Sequence, residues 1–210
     1  MVYLHETETN LSINDNDPVL FSQAVSCDNS EKWLNAMKEE IDSMEHNGVW
    51  DLVELPKSCK RVGCKWVFKT KHDSHDNLER YKARLVAKEF TQKDDIDYKE
   101  TFSPISRKDS FRIIMALVAH YDLELHQIDV KTAFLKGDLE ENVCMDQPMR
   151  FSVEGKEHMV RKLKKLIYGL KQASRQWYLR FNDTIVSFRF KANTIYRCMY
   201  LKVSGSKVIF

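Results

Sequence analysis

The sequence predicts an α+β fold, an antiparallel sheet with helices packed against it. Three observations lead there. The stretches VWDLVEL and VGCKWVFKTKH alternate apolar and polar residues with the period of half-buried strands. After the turn-rich DSHDN comes a second alternating run, LERYKARLVAKEF, so residues 62–89 read as a long hairpin. Near either end of the chain, apolar residues fall instead at helical spacing: Trp33, Met37, Ile41 and Met44, then Trp177, Phe181, Ile185 and Phe188.

Composition is compatible with this. A chain of 210 residues, 43% hydrophobic and 11% aromatic, is long enough for one large domain or for a domain with an appendage. No apolar run approaches the roughly 20 residues of a membrane helix, and MVYLHETETN lacks the basic-then-apolar order of a signal peptide. A soluble intracellular protein, of cytoplasm or nucleus, is the expectation. Five cysteines without a C-x-x-C pair are expected to be reduced thiols. The net charge of +2 conceals an asymmetry: residues 1–47 carry two Lys/Arg against ten Asp/Glu, and the remainder 31 against 21. A basic body behind an acidic leader fits a polyanionic partner, although proteins that touch no nucleic acid also carry such a surplus.

Three segments are expected in order. Residues 1–27 have little periodicity and read as a flexible acidic leader. Residues 28–48 form a docking helix, capped by Asp28, Asn29 or Ser30 and stopped by Asn47-Gly48. Residues 49–210 make the main domain, opening with the hairpin. There Lys65, Lys69 and Lys71 share one parity on the first arm, as Arg80, Lys82 and Arg84 do on the second. Six cations on paired strands suit phosphates, and a solvated face that keeps an edge soluble fits them equally well. Ser106 and Asp109 then resemble a capping box opening a helix with Phe111, Ile114, Met115 and Val118 on its apolar side. LELHQID reads as a strand, TAFLKG as a helical turn, NVCMDQP and MVRKL as short strands. A helix follows from about Ala173, and CMYLKV-SGS-KVIF as a hairpin.

Among chemical motifs, Cys59, Cys64, His72 and His75 invite a zinc reading, but C-x4-C-x7-H-x2-H matches neither finger nor ribbon spacing. No P-loop, dinucleotide or serine-hydrolase signature is present. One acid remains conspicuous. Asp129 ends an apolar-flavoured segment, where an ionised carboxylate needs a partner or a metal. It reads either as a cap for the following TAF turn or as a ligand that holds divalent cations against phosphate; on the residues alone the cap is the simpler.

WLNAMKEEI, VGCKWVFKTK, RYKARLVAKEF, DYKETFSPIS, ELHQIDVKTAFLKGDLEE and YGLKQASRQWY, in this order, closely resemble the reverse transcriptase of copia-type retrotransposons, over nearly all of residues 33–210. The resemblance implies an incomplete right-hand polymerase, fingers and part of a palm, working on an RNA or DNA template-primer and deoxynucleotides with Mg²⁺. It implies Asp129 as the first metal-binding aspartate, beside the backbone carbonyl of Val130. Lys69 and Arg84 would grip the incoming triphosphate, with Lys65 and Lys82 near by, and Phe134 would select against a ribose 2′-hydroxyl. Gln172 would touch nucleotide and template, and Lys171 and Arg175 would meet phosphates, as basic residues 161, 162, 164 and 165 would if they track the duplex. The family's Tyr-Val-Asp-Asp hairpin, with two further metal ligands, is expected just after SGSKVIF and does not fall within the 210 residues. A fragment without polymerase activity on its own is therefore expected; the alternatives are a non-catalytic nucleic-acid-binding remnant and a poorly folded, decayed copy. Glu89, Asp95, Arg150 and Arg189 stand where the family usually has Gly, and Leu166 where it has a small hydroxyl residue. If those sites need a positive φ, each change costs on the order of 1 kcal/mol.

Overall fold

A computed structural model of the chain describes residues 17–88 and 108–209, apart from 127, 129, 131, 138, 140 and 206. It is α+β. The described residues divide into two compact units, one built from 17–88 and 134–173, the other from 108–133 and 174–209.

The first unit holds the main core. Helix α1 (Phe21–Ser26) precedes α2 (Ser30–His46), whose Trp33, Met37, Ile41 and Met44 are all buried, as their i, i+4, i+8, i+11 spacing dictates. Helix α2 ends where Gly48 adopts φ +60° and the Val49 N–H returns to the Met44 carbonyl at 3.1 Å, a Schellman closure. Strands β1 (Trp50–Val53), β2 (Lys60–Val62), β5 (Val143–Met145) and β6 (Val160–Leu163) form a sheet of order β1-β6-β5-β2, in which only the β2–β5 pair is parallel. The hairpin β3 (Cys64–His72) and β4 (Leu78–Ala87) is a separate two-stranded sheet. Its apolar face, with Trp66, Phe68, Ala83 and Leu85, is buried, and Trp33 of α2 meets Phe68 and Tyr81 edge-on at 5.3 and 4.6 Å between ring centres. A short 3₁₀ turn, Phe134–Lys136, packs beside this core.

In the second unit, α3 (Lys108–His120) and α4 (Ala173–Ser187) accompany a sheet of order β7-β8-β9 (Lys191–Ala192, Tyr200–Ser204, Lys207–Ile209). Phe181 of α4 packs edge-on against Tyr200 of β8, whose hydroxyl donates to Asn182 at 3.0 Å. Much of the remaining apolar surface of this unit is open, with Phe188, Ile195 and Val203 each more than 60% exposed.

Several expectations are corrected. Residues 17–27, placed in a flexible leader, are folded: α1 buries Ala24, and the Asp17 carboxylate accepts the N–H and hydroxyl of Thr70 at 3.1 and 2.9 Å. The described residues of LELHQID lie in no strand. The Leu123 N–H is spent on the Val118 carbonyl at the end of α3 (2.9 Å), and no ladder among the described residues pairs with Glu124, Leu125, His126 or Ile128. Cys59 and Cys144 are not reduced thiols. The parallel register that sets Arg61 opposite Cys144 brings their Cα atoms to 5.9 Å, and a disulfide joins them. Their separation of 85 residues hid this pairing from the sequence.

Candidate nucleotide and nucleic-acid interface

The β3–β4 register determines which cations share a face. Lys69 lies opposite Lys82, Lys71 opposite Arg80, Val67 opposite Arg84 and Lys65 opposite Val86. Directly opposed residues in an antiparallel pair project to the same side, so all six cations share one face of the hairpin with Val67 and Val86, while Trp66, Phe68, Tyr81, Ala83 and Leu85 take the other. The tip is fixed locally: the Asp73 carboxylate accepts the N–H groups of His75 and Asn77 (2.8 and 2.9 Å) and the Asn77 amide (3.1 Å), while Asp76 takes φ 62°. These bonds to the charged form, led by the Asn77 side chain, hold the Asp73 carboxyl below its ordinary range.

Both outer edges of this small sheet are covered by polar groups rather than left for another chain. On β3 the Asp17 carboxylate takes the outward N–H of Thr70. On β4 the Glu40 carboxylate of α2 accepts from the Leu85 N–H at 3.4 Å, and the Tyr168 carbonyl from the Ala87 N–H at 2.9 Å. Burial pushes the Glu40 carboxyl up, opposed by the Leu85 N–H and by the charges of Arg84 and Lys82. Burial also pulls the Lys82 ammonium down, helped by Arg84, Arg80 and Lys71 and opposed by Glu40. A desolvated ammonium among like charges gains most from an added anion.

The segment Ile167–Ala173 completes the site. Gly169 lies so close to β4 that a Cβ there would sit 2.3 Å from the Ala87 carbonyl oxygen, and its φ of +88° also favours glycine. This approach places the Tyr168 ring beneath the Arg84 guanidinium, 4.7 Å from its centre, and edge-on to Phe134 at 4.9 Å. Gln172, two residues past Leu170, is 2% exposed, and Lys171 beside it is half-buried.

The reverse transcriptase (RNA-dependent DNA polymerase) family matches residues 47–210. The chain belongs to this family. It is 48% identical over 196 residues to the retrovirus-related Pol polyprotein from transposon TNT 1-94 of Nicotiana tabacum, covering 93% of this chain and 15% of that protein. It is 38% identical over 188 residues to the Pol polyprotein from transposon RE1 of Arabidopsis thaliana, covering 89% and 13%. A shorter match, 48% over 83 residues, is to the Arabidopsis mitochondrial protein AtMg00820, covering 40% of this chain and 49% of that one. The chain thus spans about 15% or less of the length of the Pol polyproteins it resembles, which are copia-type. No solved structure matches it.

Of the residues expected for a reverse transcriptase, Lys65, Lys69, Lys82, Arg84, Phe134, Lys171 and Gln172 lie in the first unit. Val130 and Arg175 belong to the second unit, and Asp129 lies outside the described residues, as do Glu89 and Asp95. Phe134 packs against both the core and Tyr168. Arg161 is no backbone-tracking cation: it sits on the internal strand β6, 3% exposed, with its guanidinium 4.2 Å from the Trp50 ring centre and donating to the Phe151 carbonyl at 2.9 Å. Lys164, close by, is paired with Asp51 at 2.7 Å. A zinc set is ruled out for Cys59 by its disulfide, and among the described residues no group of three His, Cys, Asp or Glu is placed to hold a metal. Sequence reasoning missed Tyr168, Glu40 and Asp17. The Tyr-Gly pair was a usable signal for the first, since glycine marks close backbone approach; the carboxylates gave none.

Proposed function

We propose that this stretch supplies the nucleotide-gripping fingers and one palm carboxylate of an RNA-directed DNA polymerase, and that the 210 residues alone bind template-primer without extending it. The observation that carries the reading is the cationic face of the hairpin, with Arg84 held over Tyr168 and Lys82 opposed to Lys69. Lys69 and Arg84 take the triphosphate, Lys65 and Lys82 reinforce them, and Phe134 and Gln172 contact sugar and base. Lys171 and Arg175 meet backbone phosphates.

Asp129 and the Val130 carbonyl would hold Mg²⁺, which when bound neutralises charge on the transferred phosphate. Within the 210 residues the resemblance assigns that role to a single carboxylate, whereas two-metal chemistry needs two or three. Primer extension by the purified chain with Mg²⁺ and deoxynucleotides is expected to be absent, and measurable extension overturns that part. Filter binding of a DNA duplex with a recessed end is expected to fall steeply with salt. Lys69→Ala/Arg84→Ala should flatten the log-log slope by about 2, near one per lost phosphate contact. No binding at low salt would reject both the polymerase-fingers reading and the purely nucleic-acid-binding alternative that the same basic face favours.

A further inference from the structure

Among the described residues, strand β2 is the edge of the four-stranded sheet and has one neighbour, β5. It runs through Gly63 straight into β3, and the hairpin returns at Lys88, whose N–H donates to the Gly63 carbonyl at 2.9 Å. On its β4 side the root of the basic hairpin is held by the Ala87 N–H on the Tyr168 carbonyl, and on its β3 side it is carried by a three-residue parallel ladder. Beyond the ladder it is held by the Asp146 N–H donating to the Val62 carbonyl (3.0 Å), by an exposed Arg61–Asp146 ion pair, and by the Cys59–Cys144 bridge at its start. So short a parallel ladder, with an exposed ion pair, is a weak hold by itself.

We propose that the Cys59–Cys144 bridge is a redox-sensitive clamp on the root of the basic hairpin, opened by low-molecular-weight thiols that enter at Cys59. The direction of entry follows from burial, because Cys59 is partly exposed and Cys144 is fully buried. An incoming thiolate attacks the Cys59 sulfur and forms a mixed disulfide, while Cys144 leaves as a thiolate and takes a proton. A second small thiolate attacks the small-molecule sulfur of that mixed disulfide and releases the Cys59 thiol. In sum, the bridge and two small thiols give two protein thiols and one small disulfide; run backwards, the small disulfide is the oxidant that closes the clamp. Cys64, next to the same strand end and 3.5 Å from the Asp146 carbonyl, is no rival nucleophile, since burial, reinforced by the Asp146 charge, pushes its thiol up to about 11.

The test uses the whole 210-residue chain equilibrated with oxidised or with reduced glutathione. After acid quenching, denaturation and alkylation, intact mass should show at most three alkylated thiols in the oxidised sample, those of Cys27, Cys64 and Cys198 where glutathione has not capped them, and all five cysteines in the reduced one. Hydrogen exchange should be about tenfold faster in the reduced protein for the amides of residues 60–63 and 88. Cys59→Ser should exchange at the fast rate in both buffers. Five alkylated thiols after oxidised glutathione, or equal exchange in the two wild-type samples, overturns the clamp. The wild-type comparison decides the matter even if the variant fails to fold, and neither readout depends on nucleic-acid binding.

Discussion

The Arg84 guanidinium lies 4.7 Å from the centre of the Tyr168 ring, while the Tyr168 carbonyl accepts the N–H of Ala87 on the same strand at 2.9 Å. One residue thus anchors β4 through its backbone and orients a β4 cation through its ring. Orientation matters for Arg, whose planar fork recognises phosphate only when it is aimed. Tyr168→Leu keeps bulk and the backbone bond but removes the ring face. Urea melts should show a loss of about 1 kcal/mol, and fluorescence anisotropy a several-fold weaker affinity for the recessed duplex. Tyr168→Phe keeps the ring face and should have the smaller effect on both; an equal effect of the two variants would sink the stacking argument.

Gly169 should tolerate no side chain. Its neighbour in the way is backbone, the Ala87 carbonyl at 2.3 Å from a Cβ, and its φ is positive. Gly169→Ala should cost upwards of about 2 kcal/mol, read as a fall in urea midpoint, because either the clash or the Tyr168–Ala87 bond must give. Gly155→Ala, where φ is also positive but nothing lies within 4 Å, isolates the backbone part at about 1 kcal/mol.

Two arginines occupy conformations that suit glycine. Arg150, at φ 61°, is the third residue of a turn closed by the Phe151 N–H on the Pro148 carbonyl at 3.0 Å. Arg189, at φ 66°, follows α4 in a Schellman closure: its own N–H bonds Val186 at 2.8 Å and the Phe190 N–H bonds Ile185 at 3.3 Å. Helix α2 uses Gly48 for the same job. Arg150→Gly and Arg189→Gly should each stabilise by about 1 kcal/mol in denaturant melts. Each change acts through the backbone of its own turn, so the gains should add. Destabilisation by either change would mean that contacts of the arginine outweigh its backbone.

Glu40 should make stability depend on acid. Its folded carboxyl titrates above the ordinary value because burial opposes its charge, so the folded state gains from the protonated form. That advantage is full below the unfolded value and is lost as pH rises through the folded one. The difference in melting temperature between wild type and Glu40→Gln should therefore shrink, or turn against wild type, from pH 4 to pH 7. A difference that is flat across this range would show that Glu40 is not desolvated. The variant keeps an oxygen for the Leu85 N–H, so the loss of that bond does not confuse the result.

By itself, the sequence determined the α+β class, helix α2 with its buried stripe, the hairpin and the parity of its six cations, because these depend on periods of 3.6 and 2 within one segment. Ordered blocks spread over most of the chain likewise carried the family. The resemblance marked Arg150 and Arg189 as positions where the family usually has Gly, and both adopt a positive φ. The burial of Arg161 was not legible: alternation in MVRKL cannot tell an edge strand from an internal one, and burial on β6 depends on β1 and β5 from elsewhere in the chain. The described residues of LELHQID lie in no strand for the same reason, as a ladder needs a neighbour that the segment does not contain. Only the tertiary structure decided that Cys59 meets Cys144, that Asp17 and Glu40 cover the hairpin edges, and that Tyr168 sits under Arg84. Each joins residues dozens of positions apart, and such pairings are chosen by the packing of whole elements, which no local pattern records.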